Sequence, residues 1–417
     1  MLTRFIGTSL AALSLLSGTF WPATEGSDWP SWRGSRGDGI QRDANPPVKW
    51  SPDSNITWRT AVPGRGRSSP IVVGMNVILT TGVEDDQSRR VLCFDTESGN
   101  LKWNTVVHNG PGGQMHRDNT TASSTPASDG ERIFAAFVDD QGMTVAALSM
   151  NGELLWKKHP GTYFSNHGFA ASPVLFEQGV IVNGHQDGTA FVVMLDQKTG
   201  DEVWRYTPEV HLRSFSTPVL TKYRDQDQLI LTGASRTLAL NPHTGTLIWS
   251  VEGPSDKFVC SPSVGHDMVF SFAGSPDKKA LAVKLGGEGQ VSESHVVWRS
   301  DRGMPYVPTP LLHGDYLHVI SDGGVYQCID AVTGKVQHTA RALGSVYSSP
   351  VAVSDRIYLF EDSGRCTVIQ NGPKFTVIAQ NEVGEDTYCT PAISGDSLFV
   401  RTESNLLRIA EQKPNEP

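Results

Sequence analysis

The sequence predicts an all-β protein: a single eight-bladed β-propeller of four-stranded antiparallel blades. Three observations carry this. A Ser/Thr-Pro pair followed by an apolar run recurs at Pro70, Pro126, Pro173, Pro218, Pro262, Pro310, Pro350 and Pro391, a mean spacing of about 46 residues, which is the length of a four-stranded blade. In four units an Asp/Asn-x-x-Thr/Ser-Gly turn closes the third strand, and in five a Trp stands on the strand that follows. The last unit is one strand short, while an unassigned strand with a Trp, "NITWRT", lies upstream of the first.

In chain order, the start "MLTRFIGTSLAALSLLSGTFWPATEG" has a basic residue, Arg4, before an apolar stretch from Phe5 to Leu16. That stretch is too short to span a bilayer and has the length of a signal-peptide core. Residues 1–25 are therefore read as a signal peptide, cut between Gly18 and Gly26, and the mature protein as exported, periplasmic or extracellular. No cysteine lies nearby to take a lipid anchor, and no later segment is apolar for long enough to be a transmembrane span. Residues 26–54 form an N-terminal strap, 55–410 the propeller, and 411–417 a polar tail.

Each unit repeats one internal order. A short apolar strand leads through a turn such as "SDGER" or "HGDY" to a second strand and then a third, and alternating apolar residues between Gly/Asp/Asn turns are what short antiparallel strands require. The third strand ends in the Asx turn: Asp95 to Gly99, Asp196 to Gly200, the Asn turn closed by Gly245, and Asp330 to Gly334. Asp or Asn accepts from nearby backbone N–H groups, and Gly takes the positive φ that closes the hairpin. Trp103, Trp156, Trp204, Trp249 and Trp298 then stand on the outermost strand, each placed to pack into the neighbouring blade. His338 replaces this Trp in the sixth unit, and the seventh has no equivalent. The strand around Trp58 completes the eighth blade and closes the ring, which removes its open edge.

Composition sets limits on function. A formal charge of −9 argues against a nucleic-acid partner. The five cysteines form no CxxC and no adjacent pair, and most sit in apolar strand patterns, as small buried hydrophobes do.

The turn "MLDQKTGDEVW" and its siblings resemble the tryptophan-docking motif of the quinoprotein-type (PQQ-like) propellers, over nearly all of the chain past the leader. The strap "DWPSWRGSRGDG" with "PGRGRSSPIV" is similar to the starts of exported PQQ-like repeat proteins of planctomycete bacteria. More distantly, the chain resembles the propeller lipoprotein of the outer-membrane β-barrel assembly machinery, a non-catalytic scaffold. The resemblance implies the fold, and fold alone does not assign function. Quinoprotein dehydrogenases of this shape add a disulfide between adjacent cysteines beside the quinone and a Ca²⁺ held by Glu and Asn. This chain has no Cys-Cys pair, no CxxCH haem site and no EF-hand calcium loop.

The residues thus point to no catalytic group, metal or cofactor. "GHQDG" and "MHRDN" bring His near Asp, but Asp-Gly in the first is an ordinary hairpin signal. Function is expected in the loops that run from each fourth strand to the next Ser/Thr-Pro, because these converge on one face of the channel. They hold eleven basic against eight acidic residues, and many aromatics. Arg67, Arg117, His167, Arg213, Phe215, Tyr306, Tyr347 and Tyr388 are the residues expected to line the mouth. Arginine with aromatics in a concave rim suits an anionic ligand or a peptide segment. The expected function is a monomeric, non-catalytic binding module or scaffold for a protein or an anionic extracellular ligand. The alternative is an oxidoreductase that binds pyrroloquinoline quinone, or a degenerate descendant of one.

Overall fold

The computed structural model describes residues 27–412, so the signal-peptide reading and the end of the polar tail, 413–417, lie outside the described residues. Eight four-stranded antiparallel sheets are arranged as blades. Blade 1 runs from Ile71–Val73 to Leu101–Asn109, blade 2 from Ala127–Ser128 to Leu154–Gly161, and blade 3 from Val174–Phe176 to Glu202–Tyr206. Blade 4 runs from Val219–Tyr223 to Leu247–Glu252, and blade 5 from Ser263–Gly265 to Val296–Ser300. Blade 6 runs from Leu311–His313 to Val336–Arg341, and blade 7 from Val351–Val353 to Thr376–Glu382. Blade 8 takes three strands from Ala392–Ser394 to Asn405–Ala410, and Ile56–Ala61 is its outermost strand, pairing Trp58 with Arg408 and Thr60 with Leu406. The two chain ends meet in one sheet, as the missing strand required.

The Asx turns form for the reason their sequence gives. Asp196 Oδ1 accepts from the backbone N–H groups of Lys198 and Thr199, both at 2.8 Å, and Gly200 closes the loop at φ 73°. Each turn then receives the Trp of the preceding blade. The indole N–H of Trp58 donates to Thr96 O, Trp103 to Met150 O, Trp156 to Gln197 O, Trp204 to Pro242 O and Trp298 to Ala331 O, all at 2.8–3.1 Å. A Cβ on Gly245 would lie 2.5 Å from the Trp204 ring, so glycine is required there by contact as well as by φ. Burial of the indole face and satisfaction of its one donor are achieved in a single contact.

Trp249 departs from this pattern. It is fully buried and packs toward Val269 and Val283 of blade 5, but its N–H donates to Gln228 of its own blade. Blade 5 has no Asx turn to receive it. In its place is an excursion whose Gly289–Gln290 strand runs parallel to Trp249 and Ser250 and covers the outer edge of blade 4. At the seventh junction, where no Trp is encoded, strap residue Trp50 takes up the space, stacked on Tyr358 and Phe360 at 6.2 and 6.1 Å between centroids.

The strap closes one end of the channel. Trp29 pairs with Val72 of blade 1, Pro30 O accepts from Ser128 of blade 2, and Ile40–Gln41 lies parallel to the innermost strand of blade 7. Between them the Arg33 guanidinium, buried, donates to the carbonyls of Asp38, Thr309, Pro310 and Pro350. All five cysteines are buried free thiols. Among the described residues no helix is long and apolar enough to cross a membrane.

Candidate functional site

The Ser/Thr-Pro pairs build the site. Proline fixes φ and offers no N–H, so the chain enters each innermost strand from the axis in one defined direction. The residue before it then makes the same bond in every blade. The N–H of Ser69 donates to Thr125 Oγ1, Thr125 to Ser172 Oγ, Ser172 to Thr217 Oγ1 and Thr217 to Ser261 Oγ. Ser261 donates to Thr309 Oγ1, Thr309 to Ser349 Oγ, Ser349 to Thr390 Oγ1, and Thr390 back to Ser69 Oγ, all eight within 2.9–3.1 Å. The result is a closed circle of eight hydrogen bonds, one per blade, running in one sense around the channel. Reading Ser/Thr-Pro as a strand marker missed this role, although the invariance of a hydroxyl at all eight places was a visible signal.

Above the ring opens a cavity of about 470 Å³, with the ring hydroxyl residues and strap residue Trp32 among its lining. Of the residues expected at the mouth, Arg67, His167, Phe215, Tyr306, Tyr347 and Tyr388 line it together. Arg117 does not: its side chain is 88% exposed on the rim. Arg213 stands behind the wall, with Nε on Asp187 at 2.8 Å and Nη1 donating to His167 Nδ1 at 2.8 Å. That bond leaves the His167 proton on Nε2, and burial followed by the Arg213 charge pushes its pKa below the usual value, so the ring is neutral at pH 7. His167 stacks on His116, nearly parallel at 5.9 Å.

Lining residues outside the predicted set include Trp32, His116, Asp118, Asn119, Lys278 and Asp322. Asp322 accepts from the backbone N–H groups of Tyr306 and Val307, each at 3.0 Å, and from Lys278 at 2.6 Å. Asp362 holds the next loop in the same way through Tyr347 N–H, at 2.8 Å. Each of these acids follows the second strand of its blade ("SDGG", "EDSG"), so a turn residue also fixes an aromatic wall. The Tyr347 hydroxyl donates to Asp118 at 3.2 Å, which joins the loops of blades 7 and 2 across the mouth, and Tyr347 packs edge-on against Tyr388. Burial, and then the nearby Asp118 charge, push the Tyr347 phenol up to about 12. The Arg67 guanidinium lies 3.7 Å from the centroid of the Tyr388 ring and is paired with Glu403.

The cations counted in these loops are therefore largely spent. Arg67 has Glu403 and Arg213 has Asp187, and Lys278, from the neighbouring turn of blade 5, has Asp322. The anion-attracting rim expected from the charge count is, in the folded chain, a rim of ion pairs around aromatic walls. His185 of "GHQDG" lies outside the cavity, fully buried, with Nδ1 2.7 Å from Asn183 Oδ1. Among the described residues no group of three or more His, Cys, Asp or Glu side chains is placed to hold a metal ion.

An eight-bladed ring with docked tryptophans and a Ser/Thr-Pro hub places the molecule in the PQQ-like class of propellers. Within that class, the family model described as outer membrane protein assembly factor BamB matches residues 44–158, 112–261 and 288–372, and the chain belongs to this family. It is 22% identical to the BamB of Shewanella oneidensis over 315 residues, 72% of this chain and 75% of that one. Among solved structures it is similar to BamB from Moraxella catarrhalis, with TM-score 0.60, 14% identity, and coverage of 87% of this chain and 99% of that one. It is also similar to the quinohemoprotein alcohol dehydrogenase of Comamonas testosteroni, with TM-score 0.66, 10% identity, and coverage of 94% and 82%. Identities this low carry the fold.

Proposed function

We propose that the protein is an exported, non-catalytic binding module of the cell envelope. Its ligand, a protein or an acidic extracellular molecule, engages the mouth of the central cavity. The observation that carries this reading is the state of the charged groups there: each carboxylate and cation lining the cavity is engaged in positioning a loop or an aromatic wall. Asp322 is taken up by two backbone N–H groups and Lys278, and Asp118 by the Tyr347 hydroxyl. A rigid, aromatic-walled concavity suits recognition, where ordered side chains lose little entropy on binding. Similarity to BamB, an outer membrane protein assembly factor, supports a protein partner and a periplasmic place for this chain.

The quinone reading fits these residues less well. Its Ca²⁺ would need carboxylates, and the two in the cavity are already engaged. The cysteines, all buried and unpaired, provide no vicinal disulfide against a quinone face. Titration of the purified protein with pyrroloquinoline quinone and Ca²⁺ is expected to give no saturable micromolar binding and no dye-linked oxidation of alcohols or sugars. Either result in the positive would overturn the non-catalytic reading. Affinity capture from the native envelope, repeated with Arg67→Glu and Arg117→Glu, is expected to lose its specific partner. An unchanged captured set would exclude this face.

A further inference from the structure

We propose that the hub ring of hydroxyls is an oxyanion-binding site, which takes a phosphate or carboxylate group on the axis of the propeller. The proposal rests on the cavity being a binding site and narrows what it binds.

A serine or threonine hydroxyl has one proton to donate and two lone pairs to accept with. In this ring every oxygen spends a lone pair on the N–H of the preceding blade. None of the eight hydroxyl protons has an acceptor among the described residues. All eight residues are more than nine-tenths buried, from Ser261 at 1% exposed to Thr217 at 8%, and all eight line the cavity. A buried donor without an acceptor is costly, and a hydroxyl that already accepts a hydrogen bond is polarised to donate a stronger one. Eight such donors face one axis.

The rest of the cavity adds to this surplus. Lys278 has three N–H groups and gives one to Asp322, while the buried Nε of Arg67 has no partner. The available acceptors are few, because Asp118 and Asp322 are already engaged by protein donors. A guest that complements this balance is rich in acceptors and poor in donors. A water cluster is not, since each water brings two protons of its own. An oxyanion is, and Trp32, Phe215, Tyr306, Tyr347 and Tyr388 shield it from solvent while leaving room for the molecule that carries it.

The test uses the full-length protein and inorganic phosphate, followed by calorimetry and by broadening of the phosphorus resonance at fixed ionic strength. Saturable binding is expected. It should weaken at least tenfold in the double variant Thr217→Val/Thr309→Val, and as much in Ser261→Ala/Ser349→Ala, which provides the reading if the first fails to fold. Lys278→Gln, which leaves the ring intact, should weaken it several-fold, and Lys198→Gln, in the exposed outer turn of blade 3, should leave it unchanged. Competition by acetate would assign a carboxylate guest, and resistance to acetate a tetrahedral oxyanion. Absence of saturable phosphate binding by the wild-type protein, or unaltered affinity in both double variants, would overturn the proposal. Phosphate binding without capture of an envelope partner would sink the partner reading alone, and capture without phosphate binding the oxyanion reading alone.

Discussion

At the scale of single residues, the turn glycines show how contact and conformation combine. Gly245 sits at φ 72°, and its missing Cβ makes room for the Trp204 ring. Gly314 also has positive φ, 61°, but a Cβ there would meet only Asn371 Nδ2, at 4.0 Å. Gly245→Ala should cost about 2 kcal/mol or more, backbone strain plus a displaced indole, while Gly314→Ala should cost about 1 kcal/mol, strain alone. Denaturant titration of the two variants reads the difference, and equal costs would mean that the indole moves freely. Residue-level patterns were also where the sequence spoke most clearly. Asp196, Gly200 and Trp204 belong to one hairpin, and a local motif reports a local contact. Trp249 packs into the next blade as its place in the repeat implies, but its different N–H partner was hidden for the same reason: the strand beside it, Gly289 with Gln290, lies in a different blade and follows no repeat.

At the scale of the blade, the second and third strands are almost wholly buried, and titratable groups are buried with them. His185, just after the second strand of blade 3, has its pKa pushed down to about 4 by burial. His318, on the second strand of blade 6 between Tyr326 and Asn371, is likewise lowered to about 4 by burial. Between that value and the usual 6.5 or so, the unfolded chain binds a proton at each site and the folded chain does not, so stability falls as pH falls through this window. The loss should reach up to about 3 kcal/mol per site, and replacing either histidine by Gln should flatten the profile of stability against pH. An unchanged slope between pH 6.5 and 4 in both variants would show that neither histidine is held neutral. Strand alternation identified these blades, but it gave no sign of which polar residues the alternation would bury. His318 looked like any strand residue, and its burial depends on Asn371, a residue of the next blade.

At the scale of the whole molecule, the number of blades and the closing strand were legible because the sequence repeats itself and the final repeat is incomplete. The site was legible only in part. Six of the eight expected mouth residues meet, because loop convergence follows from topology. The pairing of Arg67 with Glu403 and of Arg213 with Asp187 does not follow from a charge count, since each pair joins separate loops. The hub ring was hidden in the most conspicuous feature of all. It also changes what the joint between the chain ends means. A propeller closed only by its outer strand has a seam, the natural place for it to come apart. Here the inner circumference is a hoop whose eighth link, Thr390 to Ser69, is the same bond as the other seven, at 3.1 Å. The amide of Thr390 should therefore exchange with solvent no faster than those of Ser69, Ser172 or Thr309, as native-state hydrogen exchange can measure. Markedly faster exchange at Thr390 would locate a seam after all. If the links are equal, the molecule has no first blade and no last one along its axis, and it yields as one body or not at all.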